Sequence, residues 1–407
     1  MEISIDDFKT IEGGVTAPSG FKASGVASGI KKNGGEDIAL ILSDCKASAA
    51  GVFTLNKVRG HSLELSVENL CDGMAQCVFI NSGNANACLG PKGKEDAMAI
   101  SKKCASLAGI SPKDVLTGST GVIGHPLPME KVLNGISDAY YKLDKNGGIN
   151  AARAIMTTDT YPKEAAVSYS SGGRTVTIGG MAKGSGMIHP NMATMISVIT
   201  TDASISPELL IRMLRKVADK SFNRISIDGE TSVCDKILVL ANGMSGISDI
   251  KGNSYEALKF EKALEIVSIR LAKMLASDGE GATKLIEINI RNAATPEDAH
   301  SAGKAIANSP LVKTAFFGED ANWGRILTAV GYSGAEFNPS ETSISIGPMV
   351  LFDKGVAIPF DEDQAKEVLS KHDISVEVNL GSGTFDTTIW TCDFSREYID
   401  INANYRT

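Results

Sequence analysis

Histidine is scarce in this chain. His61, His125, His189, His300 and His372 are the only ones in 407 residues and lie far apart, so none is given a catalytic or ligand role. The seven cysteines (Cys45, Cys71, Cys77, Cys88, Cys104, Cys234 and Cys392) are odd in number, scattered and never spaced as CxxC. That signals neither a disulfide framework nor a zinc site, and fits a reducing cytoplasm. No stretch approaches the roughly 18 apolar residues of a membrane span, and Met1 to Thr10 lacks the positive region and apolar run of a signal peptide. Basic blocks are missing too. Asp plus Glu exceed Lys plus Arg by 48 to 40, so a nucleic-acid backbone would meet net repulsion. Finally, GxxxxGK[ST], GxSxG, HExxH and a GxGxxG between strand and helix do not occur. P-loop, α/β-hydrolase and zincin chemistries therefore lose their usual support, and no metal or cofactor is expected.

What is present is ordinary globular material: 43% hydrophobic and 22% charged residues, with enough length for two or three packed units. Between Glu95 and Ala108, Ala97, Ile100, Cys104 and Leu107 recur at helical spacing before Gly109 and Pro112. From Tyr255 to Ser277 the pattern is stronger: Phe260, Leu264, Val267, Leu271 and Met274 follow at steps of four and three, ending at Gly279. Strands are expected over Arg174–Ile178, Met195–Thr200, Lys236–Ala241, Lys284–Ile290, Ile374–Leu380 and Thr384–Cys392, all rich in β-branched residues. A mixed α/β or α+β protein follows, with its sheets covered by helices on one face.

One segment invites a chemical reading. From Gly179 the chain runs GGMAKGSGMIHPNMATMISVITTDA, glycine-rich up to Pro190 and then strand-like. By pattern alone it is a loop leading into a strand. A threonine hydroxyl beside a small residue, as Thr194 stands beside Ala193, can attack the preceding carbonyl if tight turns distort that peptide bond. Hydrolysis of the resulting ester would free the amine of Thr194. A chain-terminal amine has a pKa of about 7.7–8.0 and could take the hydroxyl proton near neutral pH, so one residue would supply nucleophile and base.

The stretch KGSGMIHPNMATM resembles the signature of the ornithine acetyltransferase, or ArgJ, family of arginine biosynthesis. So do APSGFKASGVASGIK, AAGVFTLNKV, FINSGNANAC, STGVIG, IMTTDTYPK, SFNRISIDGET, SDGEGATK, FFGEDANWGRI and YIDINANYRT, in order along essentially the whole chain. The resemblance implies an ArgJ/DmpA-like layered sandwich of sheets and helices, self-processed between Ala193 and Thr194. The pieces would be an α chain, 1–193, and a β chain, 194–407, assembled as a dimer of such pairs. It implies that Thr194 is the nucleophile and Thr120 and Gly121 the oxyanion-hole pair. Substrate would be bound by Thr157, Lys183, Thr194, Glu280, Asn402 and Thr407. The implied reaction moves acetyl from N-acetylornithine to glutamate by a ping-pong route. Whether acetyl-CoA also serves as donor stays open.

Taken singly, these residues have plainer readings. STGVIG is an ordinary turn, Lys183 a solvated loop cation, Glu280 an exposed residue past a helix end, and Asn402 a turn former. Two further activities also stay open: a self-processing aminopeptidase or amidohydrolase of related architecture, and an amino-acid-binding protein that never cleaves. The chain departs from the family pattern at Glu230 and Cys234, within ETSVCD where DTSTND is common, and at Ala321, where proline is common.

Overall fold

The computed structural model describes residues 3–188 and 195–404; Ala193, Thr194 and Thr407 lie outside the described residues. The strongest periodicity in the sequence becomes the helix Tyr255–Ser277. The Ser254 hydroxyl caps its start by accepting from the Ala257 N–H at 3.1 Å, and the Asp278 N–H closes its end by donating to the Met274 carbonyl. Phe260, Leu264, Val267 and Leu271 are fully buried along one stripe, yet Ala263, Ala272, Leu275 and Ala276 are buried as well. A helix buried this widely lies between layers. It packs on strands Lys163–Ser171 and Arg174–Lys183 of one sheet and on Phe385–Cys392 of a second.

The first sheet has nine described strands, in the order Phe8–Ile11, Lys163–Ser171, Arg174–Lys183, Ile196–Thr201, Lys236–Ala241, Ile38–Phe53, Met74–Asn84 and Val115–Val122, with Phe21–Val26 also paired to Ile38–Phe53. The pairs of Ile196–Thr201 with Lys236–Ala241 and of Met74–Asn84 with Val115–Val122 are parallel. The second sheet has seven: Val356–Ala357, Met349–Asp353, Ser343–Ile346, Asp373–Asn379, Leu285–Ala293, Phe385–Cys392 and Ile225–Ser226. The mixed, layered class expected from the sequence is what forms.

The expectation of helices on one face is corrected. Ile199 and Val239 join a core with the helices Pro207–Lys220 and Tyr255–Ser277. Their strand neighbours Val198, Leu238 and Leu240 point the other way, to a core with Ala151, Ala152 and Ala154 of the helix Gly148–Ala154. In the second sheet Trp390 faces the Tyr255–Ser277 layer while Ile389 faces the helix Pro296–Asn308. Covering on both faces is why Lys236–Ala241 is buried at every residue. It also explains why the strand reads as a continuous apolar run and hides the second layer from a pattern search.

Candidate active site

Six expected residues that are scattered through the sequence come together. Thr120, Gly121, Thr157, Lys183, Glu280 and Asn402 line one cleft, with Ile123, Thr158, Gly186, Met187, Ser232, Val233 and Cys234, enclosing about 570 Å³ of empty space with its open mouth included. The plainer readings fail one by one. Ser119, Thr120 and Gly121 belong to the strand Val115–Val122 rather than to a turn. Lys183 ends the strand Arg174–Lys183 and is 5% exposed, Glu280 is 6% exposed, and Asn402 lies in the helix Arg396–Asn404.

Gly121 shows a local reason for its identity. Its φ is +129°, and a β-carbon there would lie 2.4 Å from the Gly83 carbonyl carbon and 2.6 Å from Asn84 N. The strand Met74–Asn84 is bulged at this point, Asn84 pairing with both Thr120 and Val122. The missing side chain at Gly121 is therefore required by the neighbouring strand. Behind it, Ser119 Oγ donates to Asn81 Oδ1 at 2.7 Å and lies 2.7 Å from Ser62 Oγ, and Asn86 Nδ2 donates to Ser62 Oγ at 3.2 Å. A hydrogen-bonded polar interior thus fixes the strand that carries Thr120.

Lys183 is placed by carboxylates that single-residue reasoning did not select. Its Nζ donates to Thr157 Oγ1 at 2.8 Å and lies 4.0 Å from Asp159 Oδ2. The fully buried Lys163 bridges Asp159 Oδ1 at 2.7 Å and Asp278 Oδ2 at 2.5 Å. Burial alone would push the Asp159 carboxyl up, but the charges of Lys183 and Lys163, with hydrogen bonds from Lys163 and Gly184, outweigh it and hold the group at about 2. Lys163 is likewise pushed down by burial, and Asp159 and Asp278 overcome this to leave it raised. Asp159 and Lys163 stand in IMTTDTYPK and Asp278 in SDGEGATK, so the signal was in the quoted blocks.

The chain from 184 to 188 is anchored residue by residue. Gly184 N donates to Asp159 Oδ1 at 2.6 Å, Ser185 Oγ to the Asp278 carbonyl at 2.6 Å, and Ile188 N to Asp228 Oδ1 at 2.8 Å, with Met187 N on the other oxygen of Asp228. At Gly186 an added carbon would meet the Glu280 carboxylate at 2.3 Å, so any side chain there would push Glu280 out of its place. Met187 adopts the left-handed region at φ +56°, a strained backbone for a side-chain-bearing residue, worth about 1–3 kcal/mol. Glu280 in turn accepts from Asn402 Nδ2 at 2.8 Å. Of the departures from the family pattern, Cys234 lines the cleft, Glu230 is exposed outside its lining, and Ala321 sits in the core of the second sheet.

Two sheets layered with helices, and a cleft lined by the buried side chains of Lys183 and Glu280, define a layered α/β protein with a polar cleft between its elements. The chain belongs to the ArgJ family, whose model matches residues 22–407. It is 50% identical to the arginine biosynthesis bifunctional protein ArgJ of Caldanaerobacter subterraneus subsp. tengcongensis, over 98% of this chain and 99% of that protein. It is 46% identical to the glutamate N-acetyltransferase of Methanocaldococcus jannaschii, over 98% and 100%. Among solved structures it is similar to the arginine biosynthesis bifunctional protein argJ of Bacillus halodurans, with 41% identity and a TM-score of 0.51, over 52% of this chain and 100% of that one. Among the described residues no group of three or more His, Cys, Asp or Glu is placed to hold a metal, and no helix is long and apolar enough to cross a membrane.

Proposed function

We propose that this chain moves an acetyl group from N-acetylornithine to glutamate at the cleft, with Thr194 as nucleophile after a cut between Ala193 and Thr194. As a member of the ArgJ family it is an acetyltransferase of arginine biosynthesis, a glutamate N-acetyltransferase. The observation that carries the reading is the convergence of Thr120, Gly121, Thr157, Lys183, Glu280 and Asn402 on one cleft. Met187, at one side of the proposed cut, lines that cleft; Met195, at the other, accepts at its carbonyl from Lys236 N, two residues beyond Cys234.

In the proposed reaction the Thr194 hydroxyl adds to the acetyl carbonyl and its own amine takes the proton. Thr120 and Gly121 stabilise the tetrahedral oxyanion, ornithine departs with a proton, and glutamate reverses the steps to leave as N-acetylglutamate. Lys183 is suited to the substrate α-carboxylate and Glu280 to the ornithine side-chain ammonium, with Asn402 and Thr407 completing the polar contacts.

Pieces 1–193 and 194–407 would stay joined after the cut, because they share one sheet. Ile196–Thr201 pairs with Arg174–Lys183, and Lys236–Ala241 with Ile38–Phe53. The further association into a dimer of such pairs rests on the family resemblance. Relatives carry both a bifunctional and a single-activity name, so acetyl-CoA is a second candidate donor.

The test is denaturing mass analysis before and after incubation with N-acetylornithine alone. Two pieces are expected, the second beginning Thr-Met-Ile-Ser and gaining one acetyl group at its first residue. Thr194→Ala should give one uncut, inactive chain. An active Thr194→Ala protein, or label elsewhere, rejects the mechanism. Offering acetyl-CoA beside N-acetylornithine with glutamate as acceptor decides the donor.

A further inference from the structure

The cleft has an apolar wall to which the reaction above gives no task. Val233 and Cys234, with Ala85, Ala87 and the partly buried Ile123, form a hydrophobic cluster separate from the larger cores. Ile123, Val233 and Cys234 of this cluster line the cleft beside Thr120 and Gly121. The burial of the Cys234 thiol pushes it up to about 12, so at neutral pH it is a small apolar group and not a nucleophile.

The wall is firmly held. The Val233 carbonyl accepts from Gly60 N at 2.9 Å, the Ser232 carbonyl from Thr54 Oγ1 at 3.1 Å, and the Asp235 carbonyl from Thr54 N at 3.1 Å. Cys234 Sγ donates to the Ala85 carbonyl at 3.8 Å, and Ala85 N donates to the Val122 carbonyl at 2.9 Å. This ties the wall directly to the strand that carries Thr120 and Gly121.

A carbonyl carbon under attack has its oxygen on one side and its alkyl substituent on another. With the oxygen toward Thr120 and Gly121 and the charged amino-acid part toward Lys183 and Glu280, the alkyl group is left facing the apolar wall that adjoins Thr120 and Gly121, while Met187, a further apolar residue of the described lining, belongs to the segment held by Asp228. We infer that Ile123, Val233 and Cys234 form the acyl-chain subsite and set its length limit, seating a two-carbon acyl group and rejecting longer ones; this rests on acyl transfer at this cleft, as proposed above. The backbone ties make the limit a steric one, because the wall has little freedom to withdraw.

The experiment compares N-acetyl-, N-propionyl- and N-butyrylornithine as donors to glutamate, reading the ratio of kcat/KM for each longer donor to that for acetyl. One extra methylene against a fixed apolar wall costs about 10–200-fold, so the unaltered enzyme should favour acetyl over propionyl by at least about tenfold. Val233→Ala and Cys234→Ala should each raise the propionyl-to-acetyl ratio about tenfold, and Val233→Ile, which narrows the wall, should lower it. Because each ratio is taken within one protein, partial loss of folded material cancels. Equal use of acetyl and propionyl by the unaltered enzyme, or ratios unchanged in all three variants while acetyl transfer persists, overturns the subsite but leaves the acyl-transfer reading standing. No transfer from any donor by the unaltered enzyme removes both.

Discussion

The side-chain amide of Asn402 donates to Glu280 Oε2 at 2.8 Å, joining residues 122 positions apart. The helix that carries Asn402, Arg396–Asn404, has no buried residue; polar ties and the stacking of Tyr398 on Phe394 hold it over the cleft. Ser395 Oγ donates to the Gly281 carbonyl at 2.6 Å, and Gly281, at φ +68°, leaves room for the Tyr398 backbone N that a β-carbon would meet at 2.7 Å. Replacing Asn402 by Asp sets a second carboxylate against Glu280 and removes the donor. A hydrogen bond to a charged group is worth about 1.5–3 kcal/mol, so Asn402→Asp should raise KM for N-acetylornithine by roughly tenfold or more with little change in melting temperature. Steady-state kinetics with a parallel thermal melt check this, and an unchanged KM would detach Asn402 from the substrate.

Lys163 is the hinge of the charge network beneath Lys183. Lys163→Met removes the ion-pair partner that two buried carboxylates share, and breaking a buried ion pair in this way costs about 3–5 kcal/mol. Denaturant titration should show that loss, and adding Asp278→Asn should recover part of it. The depressed Asp159 has its own pH signature: its contribution is complete above the ordinary carboxylate pKa of about 4 and is lost as pH falls toward about 2.

Thr120 and Gly121 should separate chemistry from packing. Thr120→Ala removes a cleft-lining hydroxyl and the single methyl beside it. It should leave the fold intact and lower turnover by about 10²–10³-fold. Gly121→Ala puts a methyl 2.4 Å from the backbone of Gly83, so both stability and activity should fall. Paired melts and rate measurements distinguish the two, and full turnover by Thr120→Ala would reduce it to a structural strand residue.

Glu164 supplies a pH test away from the cleft. Burial, only partly offset by Arg153, raises its carboxyl from 4.5 to about 7, and its Oε1 has no hydrogen-bond partner. A raised folded pKa means stability that is present below about 4.5 and lost as pH rises through about 7. Glu164→Gln should therefore stabilise the protein at pH 8 and give no gain at pH 4. Melting curves across that range read the difference, and a gain independent of pH would refute the ionisation argument.

Local patterns in the chain were decisive where the physics is local. The helix Tyr255–Ser277 follows from its apolar spacing and the Ser254 cap, and the strand Lys236–Ala241 from its β-branched run, because both depend on neighbours a few positions away. The helix expected from Glu95 starts instead at Pro91, whose fixed φ and missing N–H suit a first turn. The ordered motif blocks likewise placed the family, and with it Thr120, Lys183, Glu280 and Asn402. Tertiary structure alone decided that helices cover both faces of each sheet, and that residues 119–122 of STGVIG are strand, paired to a bulged neighbour. It also decided that Asp159, Lys163 and Asp278 form the buried base of Lys183, and that Val233 and Cys234 line the same cleft as Thr120 and Gly121. Those facts depend on contacts between residues tens to hundreds of positions apart, where burial turns an ordinary Asp, Lys or Cys into a group with one fixed partner and an altered charge. Sequence spacing carries no trace of such a neighbour until the sheets have closed around it.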